Sequence, residues 1–95
     1  MFAALLFHEK RLSANGDIVE MKIWRLPTPL PPSRHLLKYS LFYGREGVRI
    51  VGFDNERGKG DHRHIGDVES DYSFTTVEQL VADFLDEVRK AGGPG

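Results

Sequence analysis

Only one segment of this 95-residue chain repeats its apolar residues at helical spacing, and it comes last. In FTTVEQLVADFLDEVRKAGG (74–93), Val77, Leu80, Val81, Phe84, Leu85 and Val88 recur every three or four positions, which lines one side of a helix. Thr75 stands three residues before Glu78, a capping-box pattern. Arg89 and Lys90 suit the negative end of the helix dipole, and Gly92 is placed to end the helix. Glu78, Asp83, Asp86 and Glu87 fall on the opposite side. A single helix with one apolar stripe needs an apolar surface to cover, and the preceding residues must supply it.

They do so by alternation. In DIVEMKIWRL (17–26), Val19, Met21 and Ile23 share one face while Glu20 and Lys22 take the other, the pattern of a strand buried on one side. Residues 3–13 read as a first strand, joined to it through Asn15-Gly16, a pair that tolerates positive φ at both central positions of a tight hairpin turn. LLKYSLFY (36–43) places Leu37, Tyr39, Leu41 and Tyr43 on one face. GREG then turns the chain into VRIVGFD (48–54), where Gly52 marks a bulge or a close approach. VESDYSF (68–74) reads as a further short strand. Between the second and third strands, PTPLPPSRH has four prolines in six positions. Proline removes a backbone donor and fixes φ, so an extended spacer crosses the surface there. The sequence therefore predicts an α+β domain over residues 1–91: an antiparallel meander of four to five strands, one C-terminal helix packed on one face, and a frayed tail at 92–95.

Composition narrows the function. The absence of cysteine excludes disulfides, zinc ribbons and thiol catalysis, and accords with a cytoplasmic setting. The opening MFAALLFHEKRL has too short an apolar run to be a signal peptide or a membrane span. A net charge of −1 hides an asymmetry: residues 1–66 carry 11 Lys/Arg against 7 Asp/Glu, and residues 67–95 carry 2 against 7. Such a division suits an anionic ligand on one surface and a basic partner on another.

Titratable chemistry concentrates in DNERGKGDHRHIGD (54–67). A Walker-type phosphate loop is excluded, because five residues rather than four separate Gly52 from Gly58, and Gly60 replaces the Ser/Thr after Lys59. Gly58-Lys59-Gly60 remains a candidate nest of backbone N–H groups for a phosphate. His62 and His64 share a face if 61–65 is extended, roughly 6–7 Å apart at Cα, with Arg63 on the other side. Two chemistries use such a pair. Two imidazoles ligate a metal, with Asp61, Asp67 or Asp54 adding an oxygen. Alternatively, one imidazole takes a proton while the other supplies one, as in cleavage of RNA through attack by the ribose 2′-OH. Catalytic roles then fall to His62, His64 and Asp61, and phosphate binding to Arg57, Lys59 and Arg63 with Gly58 and Gly60. Asp54 orients a histidine. This form needs no cofactor; the metal alternative uses His62, His64 and Asp67. A third possibility is a non-enzymatic module that binds nucleic acid or the ribosome. His35 lies after the proline segment, where sequence does not place it, and His8 has a structural role on strand 1.

The run FDNERGKGDHRH (53–64), with the strand around Trp24, the proline-rich connector and the Phe-Thr-Thr start of the helix, resembles the TumE-like toxin family of bacterial toxin–antitoxin systems. The resemblance spans nearly the whole chain and is most specific at 53–64. It implies a small cytoplasmic toxin encoded beside a helix-turn-helix antitoxin, with RNA or translation as its target. It assigns no catalytic residues. The acidic helix or an exposed sheet edge is the expected antitoxin surface, and sheet edges also permit a homodimer.

Overall fold

The computed structural model describes residues 3–94. Six strands, β1 (Ala4–Leu12), β2 (Asp17–Arg25), β3 (Leu37–Arg45), β4 (Val48–Glu56), β5 (Gly60–Ile65) and β6 (Val68–Asp71), form one antiparallel sheet in chain order. The helix α1 (Val77–Lys90) follows. The expected α+β architecture is therefore present, with one strand more than the upper count. The extra strand is β5, which lies within the polar stretch read as a connection. Glycine, charge and histidine there mask a strand that is paired on both sides.

One face is dry. Val19, Met21 and Ile23 from β2 meet Tyr39, Leu41 and Tyr43 from β3, and Val51 and Phe53 from β4. The helix covers them with Leu80, Phe84 and Val88, each 0% exposed. Burial of side chains this size contributes about 1.5–3 kcal/mol apiece. Phe84 stands edge-on to Phe53, with centroids 5.9 Å apart. Among the described residues no second layer covers the opposite face of the sheet.

Local details differ from expectation where turn length decides them. Asn15-Gly16 does close the first hairpin, but as part of a longer loop. Gly16 N–H donates to Ser13 O, Ser13 N–H to Asp17 O, and only Gly16 has positive φ. The two-residue turn with positive φ at both centres is Glu46-Gly47. The helix cap is Thr76 rather than Thr75: its hydroxyl accepts from Gln79 N–H at 3.1 Å. At the other end, Gly92 and Gly93 amides return to Arg89 O and Val88 O, which ties down the start of the expected loose tail. Gly95 lies outside the described residues.

The proline-rich connector is not a free spacer. Leu26 N–H donates to Leu36 O, closing its base. Its middle lies on the β4–β5 turn, where Pro31 O accepts from Gly58 N–H at 2.8 Å. Gly60 is needed beneath it: φ is +75°, and a Cβ there would stand 3.0 Å from the Pro32 ring.

Candidate functional site

Strand alternation divides the polar stretch between two faces. In β5, Asp61, Arg63 and Ile65 point toward the helix side, opposite Asn55, Phe53 and Val51. His62 and His64 point to the open side, opposite Asp54 and Gly52. The sequence expectation that His62 and His64 share a face is met: their ring centroids are 5.0 Å apart. Asp61 and Arg63 do not join them.

Asp61 instead anchors the connector. Its carboxylate accepts from His35 Nε2 at 2.7 Å, from Tyr39 OH at 2.8 Å and from Ser33 Oγ. His35 Nδ1 accepts from Leu37 N–H, so its hydrogen is on Nε2, facing Asp61. The ring also packs on Phe74, with centroids 4.0 Å apart. Burial, and then the bond to Asp61, push the Tyr39 hydroxyl far above its ordinary pKa, so it remains a donor. Asn55 completes the network through Tyr39 N–H and Leu37 O. A cleft of about 600 Å³ opens beside it, edged by Arg34, Lys59 and Thr75. The polar groups of His35, Tyr39 and Asp61 are satisfied by one another and by their neighbours, and His35 and Asp61 line the cleft.

The other expected phosphate-binding groups are scattered. Arg57 and Lys59 occupy the β4–β5 turn, which starts two rungs beyond the Asp54–His62 pair. The amides of Gly58 and Lys59 donate to Pro31 O and Glu56 O, so the expected nest turns its N–H groups inward. Arg63 Nε donates to Ser70 Oγ across the strand pair, on the helix side. Asp67 sits in the turn between β5 and β6, outside the cluster that the histidines form.

Of the three candidate aspartates, Asp54 is the one beside the histidines. It faces His62 across the β4–β5 ladder, and its Oδ1 lies 2.5 Å from His62 Nε2 and 4.0 Å from His64 Nε2. His62 is 3% exposed, and its Nδ1 lies 3.0 Å from Gly60 O, which requires the hydrogen on Nδ1. In the neutral ring Nε2 then carries a lone pair directed at a carboxylate oxygen. Neither Asp54 Oδ1 nor His62 Nε2 has a hydrogen-bond partner. His64 has the same polarity: Nε2 faces Asp54, and Nδ1 faces Glu69 Oε2 at 3.5 Å.

Register adds neighbours that sequence reasoning passed over. One row across the open face reads His8, Lys22, Ser40, Asp54, His62, Asp71. The next includes Phe42, Gly52, His64 and Glu69. The Arg49 side chain lies across Gly52; a Cβ at 52 would stand 2.7 Å from Arg49 Cδ. This is the close approach anticipated at Gly52. Trp24 shares the face, with Lys38 Nζ 5.9 Å from its ring centroid. Alternation alone assigns Lys22 and Lys38 to this face, whereas Arg49 depends on the register shift at Tyr43/Gly44. His8 is on β1 as expected, 2.8 Å from Glu20.

No helix of the described residues is long and apolar enough to cross a membrane. No curated protein and no solved structure gives a significant match to the chain. The family model for Toxin TumE matches residues 5–91, which includes the connector, the helix and all of the six strands except Ala4. The chain belongs to the TumE toxin family.

Proposed function

We propose that this toxin acts on RNA and cleaves its backbone at the Asp54–His62–His64 cluster. The observation that carries the proposal is the composition of the open face. Trp24, Phe42 and His64 offer rings for unpaired bases, while Lys22, Lys38 and Arg49 offer charge for phosphates. Aromatic rings interleaved with cations on an uncovered sheet suit single-stranded RNA, whose bases stack while the backbone follows positive charge. The family membership makes the protein the toxin of a toxin–antitoxin pair, so an antitoxin is its partner.

Burial changes the chemistry expected of the histidines. His62, at 3% exposure with Nδ1 committed to Gly60 O, is held behind the surface. Cleavage by two freely accessible histidines is therefore not the form supported best. The His64 and Asp54 side chains, 12% and 24% exposed, are more accessible than His62, and Arg49 stands beside their rungs to meet a phosphate. The reaction class remains phosphodiester cleavage.

The test is incubation of purified protein with end-labelled RNA and mapping of the ends formed. Cleavage by the wild type is expected to fall at least about a hundredfold in His64→Gln and Asp54→Asn, the range typical for loss of a proton-transfer or charge-stabilising group. Undiminished cleavage by both folded variants removes the cluster from the chemistry. Salt-sensitive RNA binding without cleavage identifies a binding module instead.

A further inference from the structure

We infer that Asp54, His62 and His64 form a binding site for a divalent transition-metal ion, with Glu69 positioning His64. Three observations support it. First, one potential ligand atom from each residue lies within 4.8 Å of the other two. Second, both imidazoles turn the same way: each presents Nε2 to Asp54 Oδ1 and Nδ1 to an oxygen outside the cluster, Gly60 O or Glu69 Oε2. That is the arrangement of ligating histidines, whose outer N–H is held by a carbonyl or carboxylate and whose inner nitrogen is bare. Third, the buried atoms Asp54 Oδ1 and His62 Nε2 lack hydrogen-bond partners although they face one another. Two acceptors brought together in a buried place need a cation between them, or a shared proton.

Ligand type and count specify the ion class. Two imidazoles with one carboxylate suit Zn²⁺, Co²⁺, Ni²⁺ or Fe²⁺ better than Mg²⁺ or Ca²⁺, which prefer all-oxygen shells. An ion about 2.1 Å from each donor holds neighbouring donors about 3.0 Å apart in octahedral and about 3.4 Å apart in tetrahedral geometry. The Oδ1–Nε2 separations of 2.5 and 4.0 Å bracket both spacings, so modest side-chain rotation completes the shell. Three protein ligands leave open coordination positions, the mark of a reactive rather than a purely structural site. On the uncovered face those positions point to where RNA is proposed to lie. A bound ion there supplies Lewis acidity to a phosphoryl oxygen or activates a water. The use of the ion rests on the RNA reading above, whereas the site itself rests on geometry.

The test titrates the full chain, freed of metal with a chelator and dialysed, with Co²⁺ while following visible absorption and heat. One Co²⁺ per chain is expected. Asp54→Asn and His64→Gln, each confirmed folded by circular dichroism, lose affinity by more than the roughly 10–100-fold typical of an outer partner. Glu69→Gln loses within that range, and His8→Gln is unchanged. A measurement on the wild type needs no variant: Zn²⁺ is expected to shift the ring signals of His62 and His64 in NMR spectra while those of His8 and His35 stay in place. Absence of binding, affinity equal in all variants, or shifts at His8 alone overturn the site. A protein that binds the ion as described but leaves RNA intact overturns the nuclease reading and retains the ion site. Cleavage in chelator by a protein that binds no ion does the reverse.

Discussion

Asp54 and Asp61 show how much one residue of phase decides in a strand pair. Both are aspartates near the histidines in sequence, and both are within hydrogen-bonding reach of an imidazole in the fold. Asp54 faces two rings on the open side; Asp61 holds His35, Tyr39 and Ser33 on the helix side. Replacing Asp61 with alanine leaves the Tyr39 hydroxyl and the His35 N–H without their acceptor. An unsatisfied buried donor costs about 1–3 kcal/mol. Urea denaturation is therefore expected to show Asp61→Ala less stable by about 2–4 kcal/mol, with the connector losing its anchor. The proposed RNA cleavage, measured per folded molecule, is expected to be unaffected, since the cluster on the other face keeps its groups. A stable but catalytically dead Asp61→Ala would return this residue to the active site. The sequence shows that His62 and His64 share a face, because alternation fixes it within one strand. It does not show which aspartate opposes them. That depends on the three-residue turn at 57–59, since a change of one residue in turn length would slide β4 past β5 and alter each cross-strand partner.

At the level of elements, the β2–β3 pair is closed at its far end by a charged group almost wholly withdrawn from water. Asp17, 1% exposed, begins β2 opposite Arg45 near the end of β3, and its carboxylate accepts from Arg45 Nε and from Tyr43 OH. Arg45 above all, and then the Tyr43 hydroxyl, hold Asp17 below the usual carboxylate pKa. The sign follows. A carboxyl depressed in the folded state stabilises the fold fully above its unfolded value, about 3.9, and loses that contribution as pH falls through the folded value. Asp17→Asn should thus lower the urea midpoint at pH 7, with the gap from wild type narrowing below about pH 4. An unchanged gap across that range would mean that Asp17 acts through packing alone. The helix is the most readable element of the chain. Its stripe of Leu80, Phe84 and Val88 is contiguous in sequence and needs no partner to be recognised. β5 needed its neighbours on both sides, because glycine, aspartate, histidine and arginine say little about strand formation by themselves.

As a whole molecule, and among the described residues, the protein is an open sheet with two unpaired edges and one covered face, and its edges differ. β6 has four residues, all exposed: valine, glutamate, serine and aspartate. Short length and charge discourage further pairing there. β1 has nine residues and exposes Leu5 at 56%, Leu6 at 54% and Phe7 at 39%. Leu6 and Phe7 border a hollow of about 360 Å³ with Ile23, Val77 and Val81, where the sheet edge meets the first turn of the helix. The acidic helix face is a weaker candidate for a basic partner than its sequence suggests. Asp83 receives Tyr72 OH and Gln79, and Asp86 is paired with Lys90 and Arg89. The β1 edge is accordingly our proposed antitoxin surface: an added strand would pair with the free backbone and seat apolar side chains in the hollow. Phosphodiester chemistry on the open face would then be blocked sideways, by a partner that reaches around the edge, or by sequestration away from RNA. Leu6→Glu is expected to abolish neutralisation by the cognate antitoxin in a co-expression growth assay and to leave toxicity and the fold unchanged. The substitution places a charge at the mouth of the apolar hollow, at a side chain already 54% exposed, and leaves the Asp54–His62–His64 cluster untouched. Retained neutralisation with a Leu6→Glu/Phe7→Lys pair would exclude this edge. Sedimentation adds the remaining distinction. A wild type that sediments as a dimer, and becomes monomeric with Leu6→Glu while still being neutralised, would assign the edge to a second copy of the toxin instead.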